Sequence, residues 1–134
     1  MRFVTRVGAY GVVRSAAGVL MVRLPAGPWA GSWDLPGGAI EPGDSPGESV
    51  ARHLQETLGL EVKPAELVLA DAVSDVAEWE TPDGITERLH RVAIVYEVGL
   101  IDEVTPTGDI VSAWSPLNPR TPLADRALRD GGTV

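Results

Sequence analysis

The sequence predicts an α+β protein of the mixed-sheet sandwich type, and three observations carry that expectation. Segments of strand character outnumber those of helical character, and they do not alternate as repeated βαβ units would. One strongly punctuated helix sits in mid-chain. The chain has 134 residues, 44% of them apolar and 22% charged, the size and composition of one ordinary globular domain with a single core. A single domain over residues 1–134 is therefore expected.

The elements follow in order. Phe3 to Arg14 is rich in Val and Tyr, and Gly18 to Leu24 is a short apolar run; both read as strands. Pro25 to Ser32 is a loop by its Pro and Gly content, and Trp33 to Pro36 is a short extended piece entering Gly37–Gly38. The helix comes next. Ser45, Pro46 and Glu48 supply a capping serine, a first-turn proline and a glutamate three residues past the cap, the pattern of a capping box. Val50, Ala51, Leu54 and Leu58 then keep helical spacing, and Gly59 is a natural stop. Leu67 to Val76, Arg91 to Val98 and Ile110 to Trp114 read as further strands, and a last helix is expected from Pro122 to Arg129.

Composition narrows the function classes. No apolar run approaches the roughly 20 residues of a membrane span, and the start of the chain lacks a signal-peptide stretch. With no cysteine there is neither a disulfide framework nor thiolate chemistry. These features point to a cytoplasmic protein without a membrane partner. The formal charge is −8 and no basic stripe offsets it, so a nucleic-acid polymer would be repelled. A small anionic ligand needs only a local positive group or a metal ion. Nothing in the sequence fixes an oligomeric state.

The candidate chemistry lies in the loop and helix of mid-chain. At about 100° per residue, Val50, Leu54 and Leu58 centre the buried stripe. Ser49, His53, Glu56 and Thr57 share the neighbouring flank, with Arg52 just beyond Glu56. The preceding loop, GGAIEPGD, brings the Gly38 backbone and the Glu41 and Asp44 carboxylates toward that flank, and its glycines allow a tight path and close approach of a ligand.

Gly38, Arg52, Leu54, Glu56, Gly59 and Leu60 stand at the fixed positions of the pattern G-x5-E-x7-R-E-U-x-E-E-x-G-U, in which U is a bulky aliphatic residue, without insertion or deletion. Asp44 replaces the loop glutamate, His53 the glutamate after the arginine, and Thr57 the second of the late pair. By these residues the chain resembles the Nudix hydrolase superfamily of MutT-like proteins, with a degenerate box over residues 38–60. The approach GSWDLPGG, the strand RVAIVYEV and the late Trp114 are also similar to that family's layout.

The resemblance implies the Nudix fold, a mixed β-sheet sandwiched between α-helices. It further implies cleavage of the pyrophosphate of a nucleoside diphosphate linked to another moiety, assisted by Mg2+ or Mn2+. Glu56 and Arg52 are then the catalytic candidates, with Arg52 steadying Glu56. Gly37 and Gly38 would approach the phosphates, and Glu56, Asp44 and His53 would hold metal. Only one of the three helix glutamates remains, which weakens a site built from hard oxygen ligands. His53 shares a helix face with Glu56, and its imidazole favours zinc, copper or nickel over manganese. The implied activity is therefore weakened or altered, and the alternative is a non-catalytic domain that binds a nucleotide-like ligand or a protein partner. A general base from outside the box, worth roughly 10² to 10⁴ in rate, has candidates in Glu78, Glu80, Asp83, Glu87 and Glu97.

Simpler readings stand beside these. His53 also reads as a solvated helix residue, Arg52 and Glu56 as a surface ion pair, Asp44 as a group favoured by the helix dipole, and Glu41 as a loop surface residue. Gly37 and Gly38 also read as turn residues. His90 reads as a strand-border residue, and Trp29 and Trp33 as packing or as platforms for a base.

Overall fold

The computed structural model describes residues 1–15, 18–101, 112–113 and 119–131. Its organising element is β1, Arg2–Ser15, which hairpins antiparallel into β2, Gly18–Arg23. Two short strands follow, β3 (Trp33–Asp34) on β2 and β4 (Gly37–Ala39) on β1. Then come helix α1, Pro46–Leu58, and a single 3-10 turn, Pro64–Glu66. Strands β5, Val68–Glu80, and β6, Thr86–Leu100, form a long antiparallel hairpin. β7, Ser112–Ala113, pairs with β2, and α2, Pro122–Gly131, closes the described chain.

The sheet runs β3-β2-β1-β6-β5. β1 and β6 pair in parallel from Arg2↔Glu87 to Arg14↔Leu100, with a register shift between Val12 and Val13, while the other strand pairs are antiparallel. The sheet is thus mixed, as expected. Alternation along β1 divides the core in two. Ala9 and Val13 pack with Leu20, Val50, Leu54 and Leu60 under α1. Tyr10 and Val12 pack with Met21, Trp33, Leu35, Val95, Leu123 and Ala124 under α2. The sheet therefore lies between the two helices. Leu54 has no exposed surface, and burial of such a side chain contributes about 1.5–3 kcal/mol.

Two expectations change. β5 and β6 extend well past Leu67–Val76 and Arg91–Val98, because the hairpin closes only at Thr81 and Ile85. There the Thr81 amide donates to the Ile85 carbonyl at 2.9 Å and the Ile85 amide to the Thr81 hydroxyl at 3.1 Å. Gly37–Ala39 is a strand and not only a turn. Of the segment Ile110 to Trp114, only Ser112 and Ala113 lie within the described residues, and both are in β7; Trp114 lies outside them.

Candidate functional site

Helix α1 begins as its sequence requires. The Ser45 hydroxyl accepts from the Glu48 amide and the Glu48 carboxylate from the Ser45 amide, both at 3.2 Å. At the other end Gly59 takes the left-handed conformation with φ 70°, and its amide donates to Gln55. These caps satisfy backbone groups that a helix of this length leaves open and fix which flank faces the loop.

The loop is anchored to β1 before it reaches that flank. Gly37 has φ 148°, and a Cβ there would stand 2.2 Å from the Ala9 carbonyl oxygen and 2.7 Å from Tyr10 Cα, so backbone contact with β1 demands glycine. A Cβ on Gly38 would meet the His53 ring at 2.8–3.2 Å. Both glycines are thus required by packing within the chain, whatever ligand the loop meets. From Ile40, whose amide donates to Val7, the chain turns through Gly43 and brings Asp44 onto α1.

Two latches join loop and helix. The Ala39 carbonyl accepts the Ser49 hydroxyl at 3.1 Å and His53 Nε2 at 2.9 Å. With a carbonyl as the acceptor, Nε2 carries the proton. Ser49, expected on the polar flank beside the buried stripe, is completely buried; its hydroxyl is satisfied by this bond, which removes the cost of burying it. In the second latch Arg52 Nη1 donates to Asp44 Oδ2, while Arg52 Nε stands 3.9 Å from Glu56 Oε1. The bond that Arg52 donates to Asp44 is the main cause that raises the Arg52 pKa above its ordinary value; desolvation works against it, and the charges of Asp44, Glu56 and Glu41 add smaller upward contributions. Arg52 therefore engages Asp44 more closely than Glu56. The Glu56 side chain is 63% exposed.

A divalent ion held in the implied way needs several carboxylate oxygens converging on one point. Among the described residues no group of three or more His, Asp or Glu side chains is placed to hold one. Asp44 faces Arg52, and His53 gives Nε2 to a backbone carbonyl. Arg52 Nη2, a buried polar atom of this flank without a hydrogen-bond partner, is a donor, which calls for an acceptor oxygen and not for a cation. The described residues of this flank do not fit the expected metal.

Four of the five outside candidates for a base, Glu78, Asp83, Glu87 and Glu97, have partners of their own. Glu87 is buried and accepts from Arg2 at 2.7 Å and from Trp79 at 3.2 Å. Glu97 accepts from Arg14 at 2.7 Å, and Glu78 from Arg88 at 2.9 Å. Asp83 accepts from the Thr81 hydroxyl. Trp33 is core, with 3% of its surface exposed, which excludes it as an open platform for a base, whereas Trp29 stacks 4.5 Å from the Arg91 guanidinium.

A buried charge network escaped the sequence reading. Arg91 donates to Asp34 at 2.8 Å and to Asp75 at 2.9 Å and 3.1 Å, under the Trp29 and Tyr10 rings. Thr121 donates to the other oxygen of Asp34. Burial works against the Arg91 charge, but Asp75 and Asp34 together hold its pKa above the ordinary value. Burial in turn raises the Tyr10 phenol pKa. The network fastens the Trp29 loop, β3, β5, β6 and the start of α2 to one another.

Known proteins share this architecture. The chain is 39% identical over 64 residues to a Mycobacterium tuberculosis protein provisionally named 8-oxo-dGTP diphosphatase 2, covering 48% of this chain and 44% of that protein. It is 29% identical over 87 residues to the CTP pyrophosphohydrolase of Escherichia coli, covering 58% and 64%. It thus spans less than two thirds of either relative's length. The NUDIX domain of Shewanella oneidensis NrtR, solved as a cocrystal with ADP ribose, superposes with a TM-score of 0.61 at 20% identity, over 94% of this chain and 88% of that one, which speaks for the fold. The NUDIX domain profile itself matches residues 3–129, and by that match the chain belongs to the NUDIX family.

Proposed function

We propose that this chain is a slow pyrophosphohydrolase acting on the pyrophosphate of a nucleoside diphosphate linked to a further group. The observation that carries the reading is Glu56. It is the one helix carboxylate that the box retains, it stands beside Arg52, and its side chain is largely open to solvent and ligand. The relatives support the substrate class, since their names describe a diphosphatase of 8-oxo-dGTP and a pyrophosphohydrolase of CTP. In this reading the Glu56 carboxylate takes a proton from the attacking water as its oxygen bonds to one phosphorus of the pyrophosphate. The bond from that phosphorus to the bridging oxygen breaks, and the other phosphate leaves with the bridging oxygen and is protonated from solvent. Arg52 keeps Glu56 and the Asp44 loop in register, and the strand Gly37–Ala39 supplies the floor against which the ligand rests. A positioned base contributes roughly 10² to 10⁴ in rate, and the two replaced acids withhold the remaining electrostatic assistance. The net charge of −8 favours a small ligand over a nucleic-acid polymer.

A second reading, a domain that binds a nucleotide-like ligand without cleaving it, is favoured by the two latches, which commit Asp44 and His53 to the protein itself. Incubation with a panel of nucleoside diphosphate derivatives separates the two, with Mg2+, Mn2+, Co2+ or Zn2+ added in turn and phosphate products assayed. Turnover that Glu56→Gln abolishes supports the hydrolase. Absence of turnover with every metal refutes it, and saturable nucleotide binding in chelator then establishes the binding module.

A further inference from the structure

The mismatch between the family's use of metal and the residues of this chain has a positive side. We infer that Arg52 is the resident cation of the box, so that the free protein holds its loop on the helix without a divalent ion. The Arg52 guanidinium stands where the acidic groups of loop and helix meet. It donates to Asp44 through Nη1 and approaches Glu56 through Nε at 3.9 Å, and Glu41 adds to the negative field around it. No described set of carboxylates converges elsewhere on this flank. A guanidinium cannot lose its charge in a protein, so it neutralises its partners at every ordinary pH, as a bound ion would.

The second latch removes the other need for metal. Ser49 and His53 both donate to the Ala39 carbonyl, and neither bond involves a formal charge on the loop. Loop position is therefore set by three donors from one helix, at positions 49, 52 and 53. A divalent ion entering here has to displace Arg52 from Asp44. It also has to shed water, which Mg2+ does reluctantly, and it commonly binds through one or two carboxylates together with substrate phosphates. In this chain the free protein offers Glu56 as the open carboxylate of the helix flank, too little to retain the ion. The inference concerns the free protein and does not rest on hydrolysis; turnover can be present or absent without deciding it.

The test is thermal unfolding of wild type, Arg52→Gln and Arg52→Lys in chelator and in millimolar Mg2+ or Mn2+, with calorimetric titration of Mg2+ into folded wild-type protein. A site filled to about a hundred times its dissociation constant would raise the Tm of a domain of this size by roughly 10 °C. Wild type is expected to unfold within about 1 °C of the same temperature in all conditions, and to give no saturable heat. Arg52→Gln is expected to unfold about 1–3 °C lower in chelator and to recover as Mg2+ is added, because its acids lack their cation. Arg52→Lys keeps the charge and is expected to remain indifferent to metal. A Tm of wild type that rises by several degrees with Mg2+, or a saturable titration, overturns the inference. So does an Arg52→Gln protein that folds and shows neither the loss nor the recovery. If that variant does not fold, the wild-type measurements and the indifference of Arg52→Lys decide the matter.

Discussion

The two adjacent glycines of the loop make separable predictions, and Gly38 gives the sharper one. An alanine Cβ at Gly38 would lie 2.8 Å from His53 Cε1, 3.0 Å from Nε2 and 3.2 Å from Nδ1. The ring must therefore give way by several tenths of an ångström, and moving it strains or breaks the 2.9 Å bond to Ala39. Loss of that bond costs about 1 kcal/mol, and overpacking that is not relieved costs about 1–3 kcal/mol. Against this, replacing glycine restricts the unfolded chain and returns about 0.4–1 kcal/mol. Gly38→Ala should thus destabilise wild type by about 0.5–2 kcal/mol, or roughly 2–8 °C in Tm. In a His53→Ala background the obstacle is gone, and the same substitution should be neutral or stabilising by up to about 1 kcal/mol. Urea unfolding of the four proteins closes the double-mutant cycle. An equal cost of Gly38→Ala in both backgrounds would refute the argument that the ring is what requires the glycine. Gly37 serves as the control, because its obstacle is the backbone of Ala9 and Tyr10, which no change at position 53 can move.

Two more outcomes follow from the charged pairs of the sheet. Arg91→Met leaves Asp34 and Asp75, whose side chains are 2% and 8% exposed, without their cation; a loss of about 3–5 kcal/mol is expected from urea unfolding, and a loss below about 1 kcal/mol would show that the network is not what binds the sheet to α2. The Glu87 carboxyl is held below the ordinary carboxylate pKa chiefly by its bond from Arg2 and next by that from Trp79. A depressed pKa in the folded state means stability that is present above the unfolded value and lost as pH falls through the folded one. The Tm gap between wild type and Arg2→Met should accordingly be widest near neutral pH and close as pH drops below the usual carboxylate range, whereas a gap constant with pH would contradict the assignment.

What could be read from the sequence depended on how local the determining contacts were. Helix α1 was legible because Ser45, Glu48 and Gly59 act within one turn of its ends. β1 and β2 were legible because their buried runs are continuous. The full lengths of β5 and β6 were not, since past Val76 the acidic Glu78 and Glu80 of β5 look like loop residues. The Glu78 charge is stabilised across strands by Arg88, as Asp75 is by Arg91, and that pairing is invisible until the register is known. Gly37 and Gly38 read as loop residues because glycine allows a tight path; close approach of the β1 backbone places them in a strand instead. The same reasoning separates the two polar clusters. Loop and helix lie next to each other in sequence, so spacing alone brought Asp44, Arg52, His53 and Glu56 to one flank. The Arg91 network joins residues 57 and 16 positions apart through Asp34 and Asp75, and only the sheet order assembles it.

The exchange of glutamate for His53 is more than a lost ligand, because the two side chains have opposite hydrogen-bonding character. The Ala39 carbonyl already takes the Ser49 hydroxyl, and its second donor is His53 Nε2. An ionised glutamate is acceptor-only. Placed at position 53 it could not donate to that carbonyl, and its oxygens would face the carbonyl oxygen with like partial charge. A box with glutamate at 53 must therefore hold its loop differently, with a cation between the two oxygens or with the carbonyl turned away. Histidine at 53 is compatible with the loop as it lies here, with β4 paired to β1 and Ala39 pinned over α1. The replaced residues are thus mutually consistent. His53 closes the loop by donation, Arg52 closes it by charge, and the Glu56 carboxylate is left facing solvent beside Thr57. Restoring a single glutamate would then disturb the loop before it built a site, which is why the chemistry of this chain has to be sought around Glu56 and Arg52 as they stand.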